Sequence, residues 1–222
     1  MSESIVFISE EEARKAICDI GRRIYNKDFV AANDGNLSIR IGDDEVICTP
    51  TGVSKGFMTE DMLVRIKMDG SVIQGYLKPS SEIGMHLKVY ATNKQINGVV
   101  HAHPPVATAF SVAGFELHPN LLPEAVIMLG TVHVSPYATP GTEEVPSAIE
   151  PFIETSKAVL MANHGALTWG KDIYEAYYRM ESLEHYAKIT MYAKYSIGHF
   201  NPLTNQEMSK LVKKWIMGGM NE

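Results

Sequence analysis

The spacing of apolar residues switches repeatedly along this 222-residue chain, and this limits the possible folds more than any other feature of its sequence. Residues 13–27 have the spacing of an amphipathic helix, and Ser9 and Glu12 form a capping-box pattern just before it. Short runs typical of strands follow around turn signals at residues 42–44 and 69–70. These runs predict a sheet that is made of hairpins.

The second half of the chain alternates between helix and strand patterns. The predicted elements are helices at 80–93 and 105–114, strands at 96–102 and 130–135, a helix at 143–154, a strand at 158–162, a strand or turn at 166–170, a helix at 172–196 and a last helix after Thr204. Such switching is typical of layered α/β or α+β folds. Because no repeat, low-complexity tract or linker interrupts this order, we expect one domain over residues 1–222.

Composition and charge exclude several classes of protein. A formal net charge of −6 disfavours a general nucleic-acid binder, which needs a basic surface to displace counterions. The N-terminal stretch carries acids where a secretory signal has positive charge, and no apolar run reaches the length of a membrane span, so we expect a cytoplasmic protein without a membrane partner. Cys18 and Cys48 have neither metal-site nor redox spacing and are predicted to be buried thiols.

Three histidines near the ends of predicted strands are the first candidates for chemistry. His101 and His103 are two residues apart at the end of an apolar strand, so their side chains point to the same face. His164 follows another apolar run and precedes Gly165. Three imidazoles would leave one position of a zinc ion open, which is typical of catalytic zinc sites. The other histidines are expected to have surface or core roles, with His86 on the surface of its helix.

Three glycine- or serine-containing stretches have features of a phosphate site. They are residues 33–38, 49–52 and 79–82. Exposed N–H groups and a helix N-terminus can hold an anion there without a basic surface, although each stretch alone is also ordinary turn or cap chemistry. Glu82 follows two serines, so a carboxylate that moves protons would stand beside a phosphate anchor. Lys55 and Lys78 flank these stretches and are expected to be solvated.

Six segments of the chain together resemble one protein family. In chain order they are GNLS, TPTG, KPSSEIGMHLKVY, VVHAHPP, SPYATPGT and NHGALTWG. With them the chain resembles the class II aldolase/adducin family, and within it the L-fuculose-1-phosphate aldolase branch. The resemblance implies an α/β fold of three layers, α/β/α, in which helices flank a central, mostly antiparallel sheet. It also implies a homotetramer with each active site at a subunit interface.

The resemblance further implies the roles of individual residues. One zinc ion per subunit would be bound by His101, His103 and His164, with Glu82 as the fourth ligand of the resting site and as the catalytic acid/base. The residues implied around the substrate phosphate are Gly35, Asn36, Thr51, Gly52, Ser80 and Ser81. The implied reaction is the reversible cleavage of a ketose 1-phosphate, L-fuculose 1-phosphate or a similar one, to dihydroxyacetone phosphate and an aldehyde through a metal-stabilised enediolate.

Several alternatives stay open. An aldolase for 5-deoxyribulose or 5-methylthioribulose 1-phosphate would run the same reaction on a different substrate tail. L-ribulose-5-phosphate 4-epimerases carry aspartate at the position of Glu82, and a methylthioribulose 1-phosphate dehydratase or a non-catalytic adducin-like module are further alternatives. In the fuculose-phosphate enzymes a tyrosine of the neighbouring subunit protonates the aldehyde oxygen. Residues 120–130 contain no tyrosine, and Glu124 is the nearest ionisable residue there.

Overall fold

Capping and turn residues set the bounds of the first elements. The computed structural model describes residues 6–217. Helix α1 (Glu10–Asn26) begins at the predicted capping box, where the Ser9 hydroxyl accepts from the Glu12 N–H and the Glu12 carboxylate accepts from the Ser9 N–H. The buried residues of α1 recur at helical spacing, so the apolar stripe in the sequence does face the core.

Across the described residues the strands form one eight-stranded sheet. The strands are β1 (Asn36–Arg40), β2 (Glu45–Cys48), β3 (Val64–Lys67), β4 (Val72–Gln74), β5 (Gly98–Ala102), β6 (His133–Ser135), β7 (Ala158–Met161) and β8 (Gly165–Gly170). Their order in the sheet is β4-β3-β2-β1-β5-β8-β7-β6, and the neighbours are antiparallel except β6 and β7. The strands β1 to β4 follow one another as antiparallel neighbours, so the predicted hairpins are confirmed.

Helices cover both faces of this sheet. Besides α1 they are α2 (Ile83–Thr92), α3 (Pro105–Ala113), α4 (Pro123–Met128), α5 (Glu144–Ile149), α6 (Ile173–Met191) and α7 (Asn205–Leu211). The pattern of the sequence does not predict α4, because its six residues are too few to show a helical period. Within the described residues, none of the helices combines the length and the apolar character that a membrane crossing needs.

Alternate residues of the strands pack against two different helical layers. Val100 and Ala102 of β5 belong to an apolar cluster with α1, α3 and α6, whereas Val99 belongs to a cluster with α2 and α5. All three side chains are fully buried. This alternation confirms the three-layer α/β/α fold with a central, mostly antiparallel sheet. The thiols of Cys18 and Cys48 are buried within it, as predicted.

The same alternation decides where the candidate residues lie. Because His101 is two residues from Val99, it faces the layer of α2, which begins just after Glu82. In the sheet, His101 is paired with Asn36 of β1 on one side and with Leu167 of β8 on the other. Side chains from β1, β5, β8 and the start of α2 therefore converge at one end of the central strands.

Candidate metal centre and substrate site

Three histidine side chains converge at the ends of β5 and β8. His101 lies in β5, His103 follows that strand and His164 precedes β8, and the pairing of Ala102 with Ala166 brings them together. Their ring centroids are 4.9 to 5.2 Å apart, and the Nε2 atoms of His101 and His103 are 3.1 Å apart. One ring nitrogen of each residue lies within 4.8 Å of the others, so the three can bind one metal ion.

A main-chain hydrogen bond fixes the orientation of His101. Its Nδ1 lies 2.9 Å from the Ala166 carbonyl oxygen, and because that oxygen only accepts, Nδ1 carries the proton and Nε2 presents its lone pair to the cluster. The ring is fully buried, and this burial lowers the pKa of His101 well below its ordinary value. Burial also lowers the pKa of His103. Both rings are therefore held in the neutral form that binds metal.

The carboxylate of Glu82 faces the imidazoles. Its Oε1 lies 3.2 Å from His164 Nε2, and its Oε2 lies 3.5 Å from His101 Nε2. The side-chain amide of Asn36 donates to Oε2 at 2.9 Å. Burial raises the pKa of Glu82, but the imidazoles of His164 and His101 together with Asn36 outweigh it and lower that pKa to about 2. Glu82 is therefore ionised at neutral pH.

A buried chain of hydrogen bonds lies behind Glu82. His86 is fully buried, so the expectation that it lies on the helix surface is wrong. Its Nε2 donates to Asn36 Oδ1 at 2.5 Å, and its Nδ1 accepts from the Ser38 hydroxyl at 2.8 Å. The sequence shows that His86 is one helical turn from Glu82, but it does not show that β1 covers this face of α2. This chain orients the Asn36 amide, which in turn holds Glu82.

Two of the stretches predicted to surround a phosphate are joined by main-chain hydrogen bonds. The Thr51 N–H donates to the Lys78 carbonyl oxygen at 3.0 Å, and the Ser80 N–H donates to the Thr49 carbonyl oxygen at 3.1 Å. Ser80 is buried, and its hydroxyl accepts from the Glu82 N–H. The exposed residues of these stretches include Thr51, Gly52 and Ser81, and the flanking Lys78 is exposed as well, as predicted. The joined loops therefore present one surface that an anion can reach from solvent.

The remaining predicted phosphate residues have other contacts as well. Gly35 lies against the main chain of β5, and a Cβ there would be 2.8 Å from the His101 carbonyl oxygen, so glycine is required whatever the ligand. The Asn36 amide is buried and bound within the site, as described above. The phosphate roles of both residues stay predictions. Lys55 is buried, so the expectation that it is solvated is wrong. Its ammonium group donates to two main-chain carbonyl oxygens instead of to water.

The donor set fits a divalent metal ion. Glu82 Oε1 is buried and has no hydrogen bond within the described residues, although His164 Nε2 is 3.2 Å away. A buried carboxylate oxygen without a donor is costly, and a cation between it and the imidazoles would satisfy it. Three imidazole nitrogens and a carboxylate oxygen are ligands that zinc accepts. His101, His103, His164 and Glu82 are therefore the residues that would hold the ion.

The sequence model of one protein family matches most of this chain. The sequence model of the Class II Aldolase and Adducin N-terminal domain matches residues 15–191. The chain belongs to this family. The matched residues include the four candidate metal ligands and the three phosphate stretches, so the whole candidate site lies within the class II aldolase domain.

Relatives of the chain in this family carry the names of two kinds of lyase. The chain is 38% identical over 170 residues to an L-fuculose phosphate aldolase of Methanococcus maripaludis, covering 77% of this chain and 91% of the relative. It is 34% identical over 181 residues to a 3-oxo-tetronate 4-phosphate decarboxylase of Haemophilus influenzae, covering 79% of this chain and 85% of the relative. A solved structure of an L-fuculose 1-phosphate aldolase superposes with a TM-score of 0.86 at 29% identity, covering 95% of this chain and 98% of that one. Family membership therefore indicates a lyase-type enzyme.

Asp34 is a site residue that sequence reasoning missed. Its Oδ2 lies 3.6 Å from His103 Nδ1. Metal-bound histidines commonly direct their second ring nitrogen to a carboxylate or carbonyl oxygen, and Asp34 is placed for that role. A search for acids within the predicted phosphate stretches could have found it, because it lies in residues 33–38. The sequence does not show that Asp34 lies beside His103. A long-range hydrogen bond, from the His103 N–H to the Phe29 carbonyl oxygen, holds the chain just before Asp34 close to the site.

Gly165→Ala is expected to weaken metal binding by about tenfold or more, as loss of a supporting contact does elsewhere. A Cβ at this position would lie 2.5 Å from the His103 ring and 2.7 Å from the Ala102 carbonyl oxygen, so the ring would have to move. Calorimetric titration of the metal-free protein with Zn²⁺ checks this. Gly42→Ala is the matched control, because a Cβ there makes only an ordinary contact. Equal zinc affinity in the two variants would contradict the prediction.

His86→Gln is expected to make folding stability less sensitive to acid. Burial lowers the pKa of His86 from 6.5 to about 3, so between these values the unfolded chain binds a proton that the folded chain does not. Stability therefore falls as pH falls, by about 1.4 kcal/mol per pH unit from this group. Urea unfolding of metal-free protein between about pH 4.5 and 6.5 should show a shallower slope for the variant. Parallel slopes would refute this, and the exposed His118 supplies the control variant His118→Gln.

Proposed function

We propose that the chain is a zinc-dependent aldolase. It would reversibly cleave a ketose 1-phosphate, L-fuculose 1-phosphate or a similar one, to dihydroxyacetone phosphate and an aldehyde. The observation that carries the proposal is that the Glu82 carboxylate faces the three-histidine cluster and directly follows two serines just before α2. Ligands for a metal, a carboxylate that moves a proton and a surface for an anion are the parts that this reaction needs.

Contacts within the protein orient two of the proposed metal ligands. A zinc ion, when bound, would polarise the substrate carbonyl and offset the negative charge left when the carbon–carbon bond breaks. His101 offers a fixed lone pair because Ala166 holds its Nδ1. Asp34, 3.6 Å from His103 Nδ1, would orient that ring in the same way.

Glu82 would move the proton at carbon. In the cleavage direction the C4 hydroxyl would pass its proton to water as the aldehyde forms, and the C3–C4 electron pair would stay on the ketone fragment. Glu82 would take up a proton from water and deliver it to C3. In the condensation direction the Glu82 carboxylate removes that proton, and its lowered pKa keeps it ionised for this step. Glu82 would be a ligand of the resting site and would exchange the proton when substrate displaces it. Because Asn36 holds Oε2, Oε1 would be the oxygen that does so.

The two ends of the substrate would lie on different sides of the metal centre. The phosphate group would rest on the joined loops of Thr51, Gly52, Ser80 and Ser81, next to the N-terminus of α2. A cavity of about 720 Å³ opens beside His103 and is lined by Tyr25, Val30 and Thr108 among others. This space would admit the aldehyde fragment, which supports an aldolase.

A decarboxylase that acts on a 3-oxo acid phosphate is the second candidate. The relative from Haemophilus influenzae that is 34% identical carries the name 3-oxo-tetronate 4-phosphate decarboxylase. Loss of carbon dioxide from such an acid would leave an enediolate of dihydroxyacetone phosphate, which Glu82 would protonate as before. Carbon dioxide leaves without taking a proton, whereas an aldehyde oxygen must receive one. The lack of a tyrosine in residues 120–130 therefore favours this candidate.

Product analysis separates the candidates. Zinc-loaded protein is incubated with L-fuculose 1-phosphate, L-ribulose 5-phosphate or 3-oxo-tetronate 4-phosphate, and dihydroxyacetone phosphate, aldehyde and carbon dioxide are each measured. We expect dihydroxyacetone phosphate and an aldehyde from the first substrate. Carbon dioxide from the third substrate alone would establish the decarboxylase, and conversion of the second alone would establish a 4-epimerase. The protein is also tested in the condensation direction, with dihydroxyacetone phosphate and many aldehydes. If it binds no metal and shows no turnover in any of these assays, it is an adducin-like module.

We further propose that the protein is a cytoplasmic homotetramer with its active sites at subunit interfaces. Large apolar side chains such as Phe57, Tyr76 and Tyr137 are more than half exposed, which suits surfaces that pack against other copies. Light scattering of the zinc-loaded protein would give four times the mass of one chain. A monomer at the concentration that shows full activity would contradict the proposal.

A further inference from the structure

Lys55 is a buried cation next to the candidate substrate site. It begins a 3₁₀ turn, Lys55–Phe57, shortly after Gly52, and only 1% of the residue is exposed. Its Nζ donates to the Asn33 carbonyl oxygen at 2.8 Å and to the Val53 carbonyl oxygen at 2.6 Å. A lysine at this level of burial is rare unless its charge has a partner. The burial of this positive charge therefore needs a physical explanation.

One carbonyl group lies in the phosphate stretch 33–38, and the other belongs to the residue that directly follows the stretch 49–52. Asn33 is two residues before Gly35, and Val53 directly follows Gly52. The ammonium group thus ties together the two loops that carry Gly35 and Gly52. The Thr49–Thr51 segment is also joined to the loop of Ser80, so all three stretches form one connected surface.

In the part of the chain that the structure describes, no opposite charge is bound to Lys55. Its hydrogen bonds go to main-chain oxygens, and within the described residues no carboxylate is paired with it. Burial lowers the pKa of Lys55 to about 8, although Asp34 and Glu82 lie near enough to raise it in part. Burying an unpaired cation is unfavourable, and an anion bound on the adjoining surface would compensate it. The favoured occupant of that surface is therefore an anion.

We infer that Lys55 is a positioning residue for the phosphate group of the substrate. It holds the two loops in register and places one positive charge beneath them, in a protein whose net charge is −6. The inference rests on the phosphate surface of the proposed function. Lys55 itself is buried and acts through the loops and through its field, so it is separate from the metal ligands and from Glu82.

Phosphate affinity of the zinc-loaded protein tests this inference, with inorganic phosphate as the calorimetric probe. Lys55→Gln removes the charge and keeps a donor, Lys55→Arg keeps the charge, and Lys67→Gln removes a charge from an exposed lysine of β3. We expect Lys55→Gln to raise the Kd by about tenfold, and the other two variants to stay close to wild type. Bound zinc per chain should be equal in all four proteins. With a turned-over substrate, Lys55→Gln should raise KM and leave kcat nearly unchanged.

Three outcomes would overturn it. Equal phosphate affinity in wild type and Lys55→Gln would refute the role of Lys55 and leave the proposed function intact. No phosphate binding by wild type would refute the phosphate surface itself and the inference with it. If Lys55→Gln does not fold, wild-type protein with ¹⁵N-labelled lysine decides, because the Nζ resonance assigned through Lys55→Arg should shift as phosphate is added. A resonance that does not move would overturn the inference.

Discussion

Glu82→Gln is expected to keep its zinc and to lose turnover by about 10³-fold, within the range that a positioned acid–base group supplies. Glutamine preserves the shape of the side chain, and its amide oxygen can still accept from Asn36, which holds Glu82 Oε2 at 2.9 Å. The amide cannot accept or deliver a proton. Exchange of the hydroxymethyl proton of dihydroxyacetone phosphate with D₂O, followed by NMR, measures that step without any aldehyde.

The exchange assay also gives this prediction a sharp control. Glu11→Gln makes the same chemical change on the exposed surface of α1, where the Glu11 side chain is 74% exposed. It should exchange at the wild-type rate. If zinc-loaded Glu82→Gln exchanged the proton at the wild-type rate, Glu82 would have no part in the reaction. The aldolase and decarboxylase candidates both predict slower exchange in this variant, because each reaction protonates the same carbon.

His101→Ala is expected to lose both the metal and the activity. His101 is fully buried, and its Nε2 is 3.1 Å from His103 Nε2 and 3.5 Å from Glu82 Oε2, so it stands at the centre of the ligand set. Its removal should weaken zinc binding by more than the roughly 10–100-fold that loss of an outer supporting group causes. Turnover should fall by about 10³-fold or more, since the ion's stabilisation of charge is worth several kcal/mol.

An exposed histidine separates the metal effect from a general effect of histidine loss. His118 is exposed, and among the residues that the structure describes only its main-chain carbonyl is bound, by Tyr186, so His118→Ala should bind one zinc ion and keep full activity. Metal analysis by mass spectrometry and the exchange assay are run on both variants. Wild-type zinc content in His101→Ala would contradict the ligand assignment.

Local features of the sequence predicted much of the fold. The capping box at Ser9, the strand runs and the Gly114 end of α3 each depend on neighbours a few residues away, and the structure confirms them. The two-residue spacing of His101 and His103 also predicts their common face. Convergence with His164 depends on the pairing of β5 with β8, which are far apart in sequence. The position of His164 after an apolar run proposed it as a partner, and the family resemblance supported it, but no local pattern encodes the pairing itself.

The contacts that sequence reasoning missed are long-range. His86 and Lys55 were expected at the surface, because a charged or polar residue in an isolated helix or turn is usually solvated. Each is buried by a partner distant in sequence: His86 by Asn36 and Ser38 of β1, and Lys55 by the loop of Asn33. No local pattern encodes such a partner, since it depends on how the layers pack.

X-ray absorption at the zinc edge of the zinc-loaded protein, together with metal content per chain, tests the metal centre most directly. The arrangement of His101, His103, His164 and Glu82 predicts one zinc ion per chain, three imidazole nitrogens at about 2.0–2.1 Å, an oxygen ligand and no sulfur. The same spectrum should be lost in His101→Ala. Zinc bound through sulfur, or an unchanged nitrogen shell in that variant, would contradict the proposed site.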